Sequence, residues 1–494
     1  MQEETIYSYH TFMFPFRWRS QEKSSTIGDF ISNQTHWKEQ ENIAETKDTS
    51  TLLRNYNEMS YFYNFTHNSL YQQKGSTSKQ YYYQYVDGVY IIEIKEQKKF
   101  SLKVEKILLK LYETGVGIVS FHLNNIDPRQ HCVETVLQIN DYGRRLYPQF
   151  LSISEKGFTY NTEKSFYPSK VLLQLDEKTY TSSISDYQNT ESIKKILYKK
   201  RHALPSYIVD LLIDTNSDIE IQPVTDDRMY TLCWLGDDKL SAEIRSSGNK
   251  QPHLKNKYWY RLIFNDGNMM NCQNIPMRQQ LIKEHTYARW SDFGSIIGMS
   301  RNSFIMLTDG SEYSQTILAP HIRTMYFQIA SMLLSTEATI LHFSDEVNKI
   351  SLSLDREDVI LQNTKRLYKN YLKFINSIWF REVTAQDQGQ EVYKQALKIS
   401  DMPAHIDALH KEIEEVHRYA QMLHSERESE KLNHLNKLAG WLLPASVISG
   451  ILGMNILPKS AVTSNGWLPL FFMSIFTLLV TIAIVSYKSK KVEP

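Results

Sequence analysis

Two stretches near the C-terminus contain no charged residue, and they constrain the fold more than any other feature of the sequence. They run from Leu438 to Leu457 and from Leu468 to Tyr487. Each is about 20 residues long, or roughly 30 Å as an α-helix, which matches the apolar core of a bilayer. The alternative, a pair of buried core helices, is disfavoured because two such stretches with charged flanks are rare in soluble folds. We therefore predict transmembrane helices at 438–457 and 468–487.

The charges that flank these stretches predict their orientation. Lys431 and Lys437 precede the first stretch, and a basic tail at 488–494 follows the second. The loop between them, at 458–467, has one lysine and no acidic residue. Because positive charge accumulates on the cytoplasmic side of membrane proteins, we predict a multi-pass protein of the cell (inner or cytoplasmic) membrane with both termini in the cytoplasm.

The overall composition excludes several classes of function. Lysine and arginine number 56 and aspartate and glutamate number 55, so no general basic face for nucleic acid is expected. The cysteines, Cys132, Cys233 and Cys272, are far apart, which disfavours both a disulfide framework and a structural zinc site. No GxxxxGK[ST], HExxH, GxSxG or EF-hand motif occurs. We predict neither an enzyme nor a bound cofactor.

The part of the chain before the uncharged stretches predicts a mixed domain. Strand and helix patterns alternate at 76–320, which indicates an α/β (α+β) cytoplasmic domain after an N-terminal extension of unclear structure at 1–75. Asp87-Gly88 predicts a two-residue hairpin between strands at 81–86 and 89–94.

Two further patterns specify elements of this domain. Apolar residues at helical spacing, ended by a glycine, predict a helix: Val104, Ile107, Leu108 and Leu111, then Gly115. Short apolar runs predict strands at 117–123, 230–235, 258–264 and 303–307.

Strand patterns end near residue 320, and 321–437 is predicted to form a helical stalk. Long helices are predicted at 322–343 and 358–380, and Asp401-Met402-Pro403 predicts the start of a helix that continues into the first uncharged stretch. Its apolar residues follow a heptad pattern: Ile406, Leu409, Ile413, Val416, Ala420 and Leu423. Such a stripe needs a partner, which is either the helix at 358–380 or copies from other subunits.

Three histidines recur every seven residues in the stalk: His410, His417 and His424. Imidazoles aligned on an oligomer axis could form a weak site for a transition metal. The alternative is that they flank the helical seam and are hydrated.

The first uncharged stretch ends in Gly453-Met454-Asn455, with Pro444 and Ser446 upstream. This arrangement resembles the CorA-type magnesium transporters, in which a Gly-Met-Asn tripeptide ends the first of two C-terminal helices. In that family the tripeptide follows a large cytoplasmic domain and a long helix, as predicted here.

The resemblance covers residues 429–494 in sequence and about 320–494 in arrangement. The chain is similar to a divergent member, because Leu452 stands where the family usually has an aromatic residue. Leu457-Pro458-Lys459-Ser460 likewise replaces a common Met-Pro-Glu-Leu loop. The predicted fold is therefore CorA-like: the α/β (α+β) domain, the long stalk and two C-terminal transmembrane helices.

The resemblance implies a homopentamer with a metal site at the mouth of its pore. Five first stretches would line the pore and five second stretches would surround them. Asn455 and the backbone carbonyl of Gly453, with Met454 between them, would form the selectivity ring. The resemblance also implies a polar ring and three apolar constrictions along the pore: Ser446, Leu443, Leu435 and Leu432.

Physical chemistry is compatible with these roles. Mg²⁺ dehydrates reluctantly, and a ring of amide and carbonyl oxygens can hold its water shell. The pore positions recur in steps of three and four residues, so one helix face carries them: 432, 435, 439, 443, 446, 450 and 453. The alternative for each leucine is packing against a neighbouring helix.

We therefore predict a homopentameric membrane channel for divalent cations, whose partners are copies of itself, the cations and the lipid bilayer. Mg²⁺ uptake is the first expectation, since the membrane potential supplies roughly 4.6 kcal/mol per 100 mV for two charges. Two alternatives stay open. One is transport of Zn²⁺ or Co²⁺, with or without proton coupling, and the other is a membrane-anchored cytoplasmic sensor or scaffold without transport.

Overall fold

A computed structural model describes most of the chain. The described residues are 6–20, 27–31, 36–40, 48–71, 76–95, 98–148, 152–154, 157–159, 167–187, 190–199, 204–213, 219–224, 227–246, 250–353, 357–453, 475 and 479. The chain divides into two compact units. Unit 1 comprises residues 1–349 and 366–413, and unit 2 comprises residues 350–365 and 414–494.

Unit 1 contains a mixed β-sheet, which has thirteen strands among the described residues, and a separate two-stranded sheet of β7 (Ser152–Ser154) and β8 (Gly157–Thr159). The strands of the large sheet, in chain order, are β1 (Tyr7–Ser20), β2 (Trp37–Glu39), β3 (Ser78–Tyr83), β4 (Gly88–Lys95), β5 (Lys98–Tyr112), β6 (Val116–Asn125), β9 (Lys170–Leu175), β10 (Lys178–Ser183), β11 (Ile219–Pro223), β12 (Tyr230–Gly236), β13 (Thr286–Tyr287), β14 (Ile296–Ser300) and β15 (Ser303–Thr308).

The order across the large sheet is β10-β9-β4-β5-β6-β1-β12-β15-β14-β13. β11 also pairs with β1, and β3 pairs with both β2 and β5. β12 and β15 run parallel, and the other paired strands are antiparallel.

Helices account for most of the other described elements of unit 1 and for the described elements of unit 2. In chain order they are α1 (Ile27–Ile31), α2 (Thr49–Tyr61), α3 (His67–Leu70), α4 (Val133–Gly143), α5 (Thr190–Lys199), α6 (Ser206–Leu212), α7 (Asp238–Ile244), α8 (Lys257–Phe264), α9 (Ile275–His285), α10 (Ala319–Arg323), α11 (Met325–Ser351), α12 (Glu357–Ser377), α13 (Asp387–Ile399) and α14 (Met402–Gly453).

The core of unit 1 consists of two apolar clusters. The first gathers aromatic and aliphatic residues of β1, β4, β5 and β6, such as Phe14 and Phe121, and includes Tyr207 of α6. The second surrounds Trp259 of α8 and includes residues of β12, β14 and β15. α4 contributes to both, with Ile139 in the first cluster and Val136 in the second.

The helix predicted at 104–111 is wrong, because these residues lie within β5. β5 shifts register between Val104 and Lys106 where it pairs with β6. Such a bulge inserts one residue, so buried side chains that normally alternate every two residues are here three apart, at Val104 and Ile107. A three-residue spacing is typical of a helix, and this is the pattern that misled the prediction.

The hairpin predicted at Asp87-Gly88 is also wrong. The flanking strands, β3 and β4, exist, but both pair with β5, through Tyr81 opposite Leu109 and Tyr90 opposite Leu102. β5 has 15 residues, which is long enough for the two shorter strands to lie one after the other along its edge. The backbone N–H of Asp87 instead donates to the carboxylate of Asp176 at 2.9 Å.

The strand predicted at 258–264 is instead helix α8. Aromatic and β-branched residues favour strands as a composition. Here the side chain of Asn256 accepts hydrogen bonds from the backbone N–H groups of Tyr258 and Trp259, and this N-cap starts a helix. The predicted strands at 117–123, 230–235 and 303–307 are confirmed as β6, β12 and β15.

The membrane part of the predicted fold is corrected. In the described part of α14, charged residues continue as far as Lys437, and the uncharged part begins at Leu438. Among the residues that the structure describes, none of the helices is both long and apolar enough to cross a bilayer. This finding contradicts the predicted transmembrane helix at 438–457 and the multi-pass membrane localisation. The second predicted span, 468–487, lies outside the described residues except for 475 and 479.

A buried histidine in β1 predicts how stability depends on pH. His10 is fully buried, with Nδ1 2.7 Å from Asn140 Oδ1 and Nε2 3.0 Å from Ser8 Oγ. Burial lowers the pKa of His10 from 6.5 to about 4. The folded state therefore favours neutral imidazole, and the unfolded state takes up the proton first as the pH falls. This contribution to stability is complete above about pH 6.5 and is lost as the pH falls towards 4.

We expect His10→Gln to flatten the dependence of the unfolding free energy on pH between 6.5 and 4. Glutamine keeps a donor and an acceptor but has no group that titrates in this range. Urea unfolding of both proteins at several pH values measures the two slopes, with pH 8 as the common reference. Equal slopes would contradict the assignment of this pH dependence to His10.

Candidate functional site

The predicted pore residues all belong to α14 or follow it directly. The helix has 52 residues and begins directly after Asp401. Asp401 has a positive φ of 49°, so the backbone changes direction just before the helix. Pro403 occupies the first turn, where its missing N–H has no intrahelical partner to lose. Neither glycine nor proline occurs from Ala404 to Ala439, so the hydrogen-bonded ladder continues without a break.

Most of the heptad stripe of α14 is buried as far as Leu423, and Val416 is half-buried. In the part of the helix that belongs to unit 1, Ile406, Leu409 and Ile413 are buried. In the part that belongs to unit 2, Ala420 and Leu423 are buried. These residues are covered within a single chain. The hydroxyl of Tyr371 in α12 lies 2.8 Å from Nδ1 of His410, so the predicted partner helix at 358–380 does contact α14 within unit 1.

The three histidines of the stalk have different surroundings in one chain. The ring of His410 stacks on Tyr371 at 5.7 Å, and Nε2 of His417 lies 3.0 Å from Nε2 of Gln421. His424 is exposed. Within the described ranges, no group of three or more histidine, cysteine, aspartate or glutamate side chains is arranged to hold a metal ion. A site made by several copies of the chain stays a prediction.

Beyond Leu423, the large apolar side chains of α14 that the structure describes are exposed. We call one set of positions the terminal face: Leu432, Leu435, Ala439, Leu443, Ser446, Gly450 and Gly453. The leucines of this face are 57% (Leu432), 59% (Leu435) and 61% (Leu443) exposed. No described atom beyond the helix's own backbone comes within 4 Å of the place that a Cβ would take at Gly450. In the part of the chain that the structure describes, these leucines and Gly450 are therefore largely uncovered.

The polar groups of the terminal face lie at its C-terminal end. The hydroxyl of Ser446 donates to the backbone carbonyl of Leu443 at 2.8 Å, which leaves the lone pairs of its oxygen available to a cation or to water. Gly453 is the last residue of α14 that the structure describes. Met454 and Asn455, the rest of the predicted selectivity ring, lie outside the described residues. One chain offers a single serine oxygen here, so a ring of oxygens requires several copies.

A charged cavity in unit 1 was not predicted from the sequence. The cavity has a volume of about 520 Å³, and its wall includes Arg144 and Arg145, which follow α4, and Asn265 and Asp266, which follow α8. The sequence does contain an indication of each segment. Two adjacent arginines follow a helix, and a run of turn-forming residues at 265–268 follows another.

The chain has little detectable similarity to known proteins. No protein-family model matches the chain, and no curated protein matches it. A solved structure that does match is the complete structure of the CorA magnesium transporter from Methanocaldococcus jannaschii. It is 12% identical, the match covers 55% of this chain and 92% of that one, and the TM-score is 0.19. The chain therefore has a weak structural similarity to a magnesium transporter, too weak to establish a shared fold.

The change from a covered to an uncovered helix face predicts two different mutational effects. Leu409 is 1% exposed, so Leu409→Ala should lower the unfolding free energy by about 2–5 kcal/mol through lost burial and a cavity. Leu435→Ala removes the same atoms from an exposed site and should change it by less than ~0.5 kcal/mol. Urea unfolding under monomeric conditions measures both, and similar losses for the two variants would contradict the difference in burial.

Proposed function

We propose that the chain transports divalent cations, Mg²⁺ first among them, as a homo-oligomer whose subunits pack through the terminal face of α14. One observation carries the proposal. Among the described residues, the heptad positions of α14 are mostly buried as far as Leu423, whereas the leucines of the terminal face are exposed. An exposed apolar face on a long helix is typical of a surface that another molecule covers.

A second copy of the same helix is the best-matched partner for this face. Soluble oligomers are mostly homo-oligomers with closed symmetry, and symmetry presents the same face from every subunit. Large side chains at Leu432 and Leu435 would fill the interface, and the small residues Ser446 and Gly450 would permit closer approach. Five copies, as the resemblance in sequence implies, would place these residues in rings around a common axis.

The order of residues along the terminal face supports cation binding at its C-terminal end. Rings of Leu432, Leu435 and Leu443 would make apolar constrictions, which can close a passage by excluding water. Ser446 would add a ring of hydroxyl oxygens. Gly453 and Asn455 would add carbonyl and amide oxygens, which are ligands that suit Mg²⁺ with its hydration shell retained.

Assembly through the terminal face predicts a specific effect of a buried charge. Leu435→Glu should abolish or reduce self-association, because each copy would bring a carboxylate into an apolar interface. Its effect on the stability of the monomer should be small, since residue 435 is exposed. Asn433→Glu is the matched control, because it adds the same charge about 100° away from Leu432 around the helix.

Light scattering after size-exclusion chromatography measures the number of subunits in each variant. A wild-type protein that stays monomeric at all concentrations would contradict assembly. So would an oligomer of Leu435→Glu with the wild-type subunit number. An equal loss of self-association in Leu435→Glu and Asn433→Glu would place the interface outside the terminal face.

Transport itself predicts a role for the asparagine that follows α14. We expect the purified protein in sealed vesicles to carry Mg²⁺, and Asn455→Ala to reduce the flux or its selectivity by removing one amide oxygen per subunit. Asn433→Ala removes an amide from the helix outside the terminal face and should leave the flux unchanged. An ion-sensitive dye inside the vesicles measures the initial rates.

The same vesicles separate the alternatives. Zn²⁺ or Co²⁺ flux that exceeds Mg²⁺ flux, with or without dependence on a pH gradient, would change the ion but retain transport. If the wild-type protein carries none of the three ions, or if Asn455→Ala matches it in rate and selectivity, the proposed function is wrong. A wild-type protein that carries none of the three ions would favour a sensor or scaffold that binds a ligand without transport.

A further inference from the structure

The charged cavity of unit 1 is built from segments that are far apart in the sequence. Arg144 and Arg145 follow α4, Arg228 precedes β12, and Asn265 and Asp266 follow α8. The cavity volume of about 520 Å³ lies in the range of sites that hold small molecules. Tyr260, Phe264 and His285 supply an aromatic part of the lining.

Two carboxylates hold three arginines beside this cavity. Asp227 pairs with Arg145 Nη1 at 2.7 Å and with Arg228 Nε at 2.9 Å. Asp141 Oδ1 accepts from Arg145 Nη2 at 3.0 Å and from Arg144 Nη2 at 3.3 Å. The carboxylates therefore fix the guanidinium groups in place, and Arg144 has the longest of these contacts.

Arg144 is a buried cation that is only partly compensated. It is 3% exposed, and its Nε has no hydrogen-bond partner among the described residues. Burial, together with the positive charges of Arg145 and Arg228, lowers the pKa of Arg144 to about 10 against the attraction of Asp141. An anion in the cavity would relieve this cost by adding a negative charge and an acceptor.

Asn265 supplies a second unsatisfied group in the same wall. It is 2% exposed, and neither its Nδ2 nor its Oδ1 has a hydrogen-bond partner among the described residues. Its φ of 51° closes the C-terminus of α8 in the left-handed conformation. Glycine would adopt that conformation without burying an amide, so the side chain is costly unless a ligand binds it.

The chemistry of the wall favours an anion over a metal ion. Asp141 already accepts from two guanidinium groups, and Asp266 accepts from the backbone N–H of Asn271 at 2.9 Å and from its amide. These carboxylates offer a cation few free lone pairs, and the nearby arginines repel it. Guanidinium N–H groups and an amide N–H are the donors that phosphate oxygens take.

We propose that this cavity binds a small phosphorylated molecule, with the phosphate on Arg144 and Asn265 and the remainder against the aromatic part of the lining. A free phosphate would fill little of the volume, so an organic phosphate is the expected class of ligand. The site is in unit 1 and does not depend on the terminal face of α14 or on transport.

The test uses the full-length protein with inorganic phosphate and pyrophosphate as probes. Isothermal titration calorimetry in the absence of divalent cations, at constant ionic strength set by potassium chloride, measures affinity. We expect saturable binding to the wild-type protein and affinity at least about tenfold weaker in Arg144→Gln, because a charged hydrogen-bond donor is lost. Arg129→Gln removes the same charge from an exposed site and should bind as the wild type does.

Asn265→Gly keeps the test decisive if Arg144→Gln does not fold. Glycine accepts the left-handed backbone, and removing an amide without partners should leave the thermal midpoint of the unliganded protein unchanged or raise it. Affinity for the probes should still fall. Absence of saturable binding to the wild-type protein would overturn the proposal, as would wild-type affinity in both cavity variants.

Discussion

Strand β1 holds the two halves of the sheet together through backbone hydrogen bonds on both of its edges. It pairs with β6 from Ser8 to Arg17 and with β12 from Tyr7 to Met13. In the described sheet order, β12, β15, β14 and β13 join the remaining strands through it. Buried N–H and C=O groups must be paired, so loss of β1 would expose two unpaired edges in the middle of the core. The two apolar clusters and the charged cavity depend on this junction.

The sequence predicted those strands in which the buried side chains are also the apolar ones. β6, β12 and β15 are buried runs bounded by polar or turn-forming residues, and each was predicted. β1 was missed because every residue from Ser8 to Phe16 is buried, including Ser8, His10 and Thr11, so its sequence neither alternates nor appears uniformly apolar. Its polar side chains are satisfied by Asn140 and His122, which come from distant segments. No local pattern contains that information.

The two candidate sites differ in the same way, because one lies on a single helix and the other combines distant segments. The heptad stripe of α14 and its terminal face lie on one helix, so spacing alone placed their residues on that helix. Apolar composition at 438–457 did not correctly predict the surroundings of this stretch, because uncharged stretches also occur in buried cores and at oligomer interfaces. The cavity lay beyond prediction because it combines Arg144, Arg228 and Asn265, which approach one another only after the sheet has formed.

Both sites contain groups whose placement is unfavourable in the isolated chain. The leucines of the terminal face expose apolar surface to water, which costs free energy in proportion to area. Arg144 and Asn265 are buried without full hydrogen bonding, which costs desolvation. Proteins are stable by a margin of only about 5–15 kcal/mol, so such groups persist where the remaining packing compensates for them. An apolar surface is relieved by another apolar surface and a buried donor by an acceptor. These two costs are the physical basis of the two proposals, a second copy of α14 for the terminal face and an anion for the cavity.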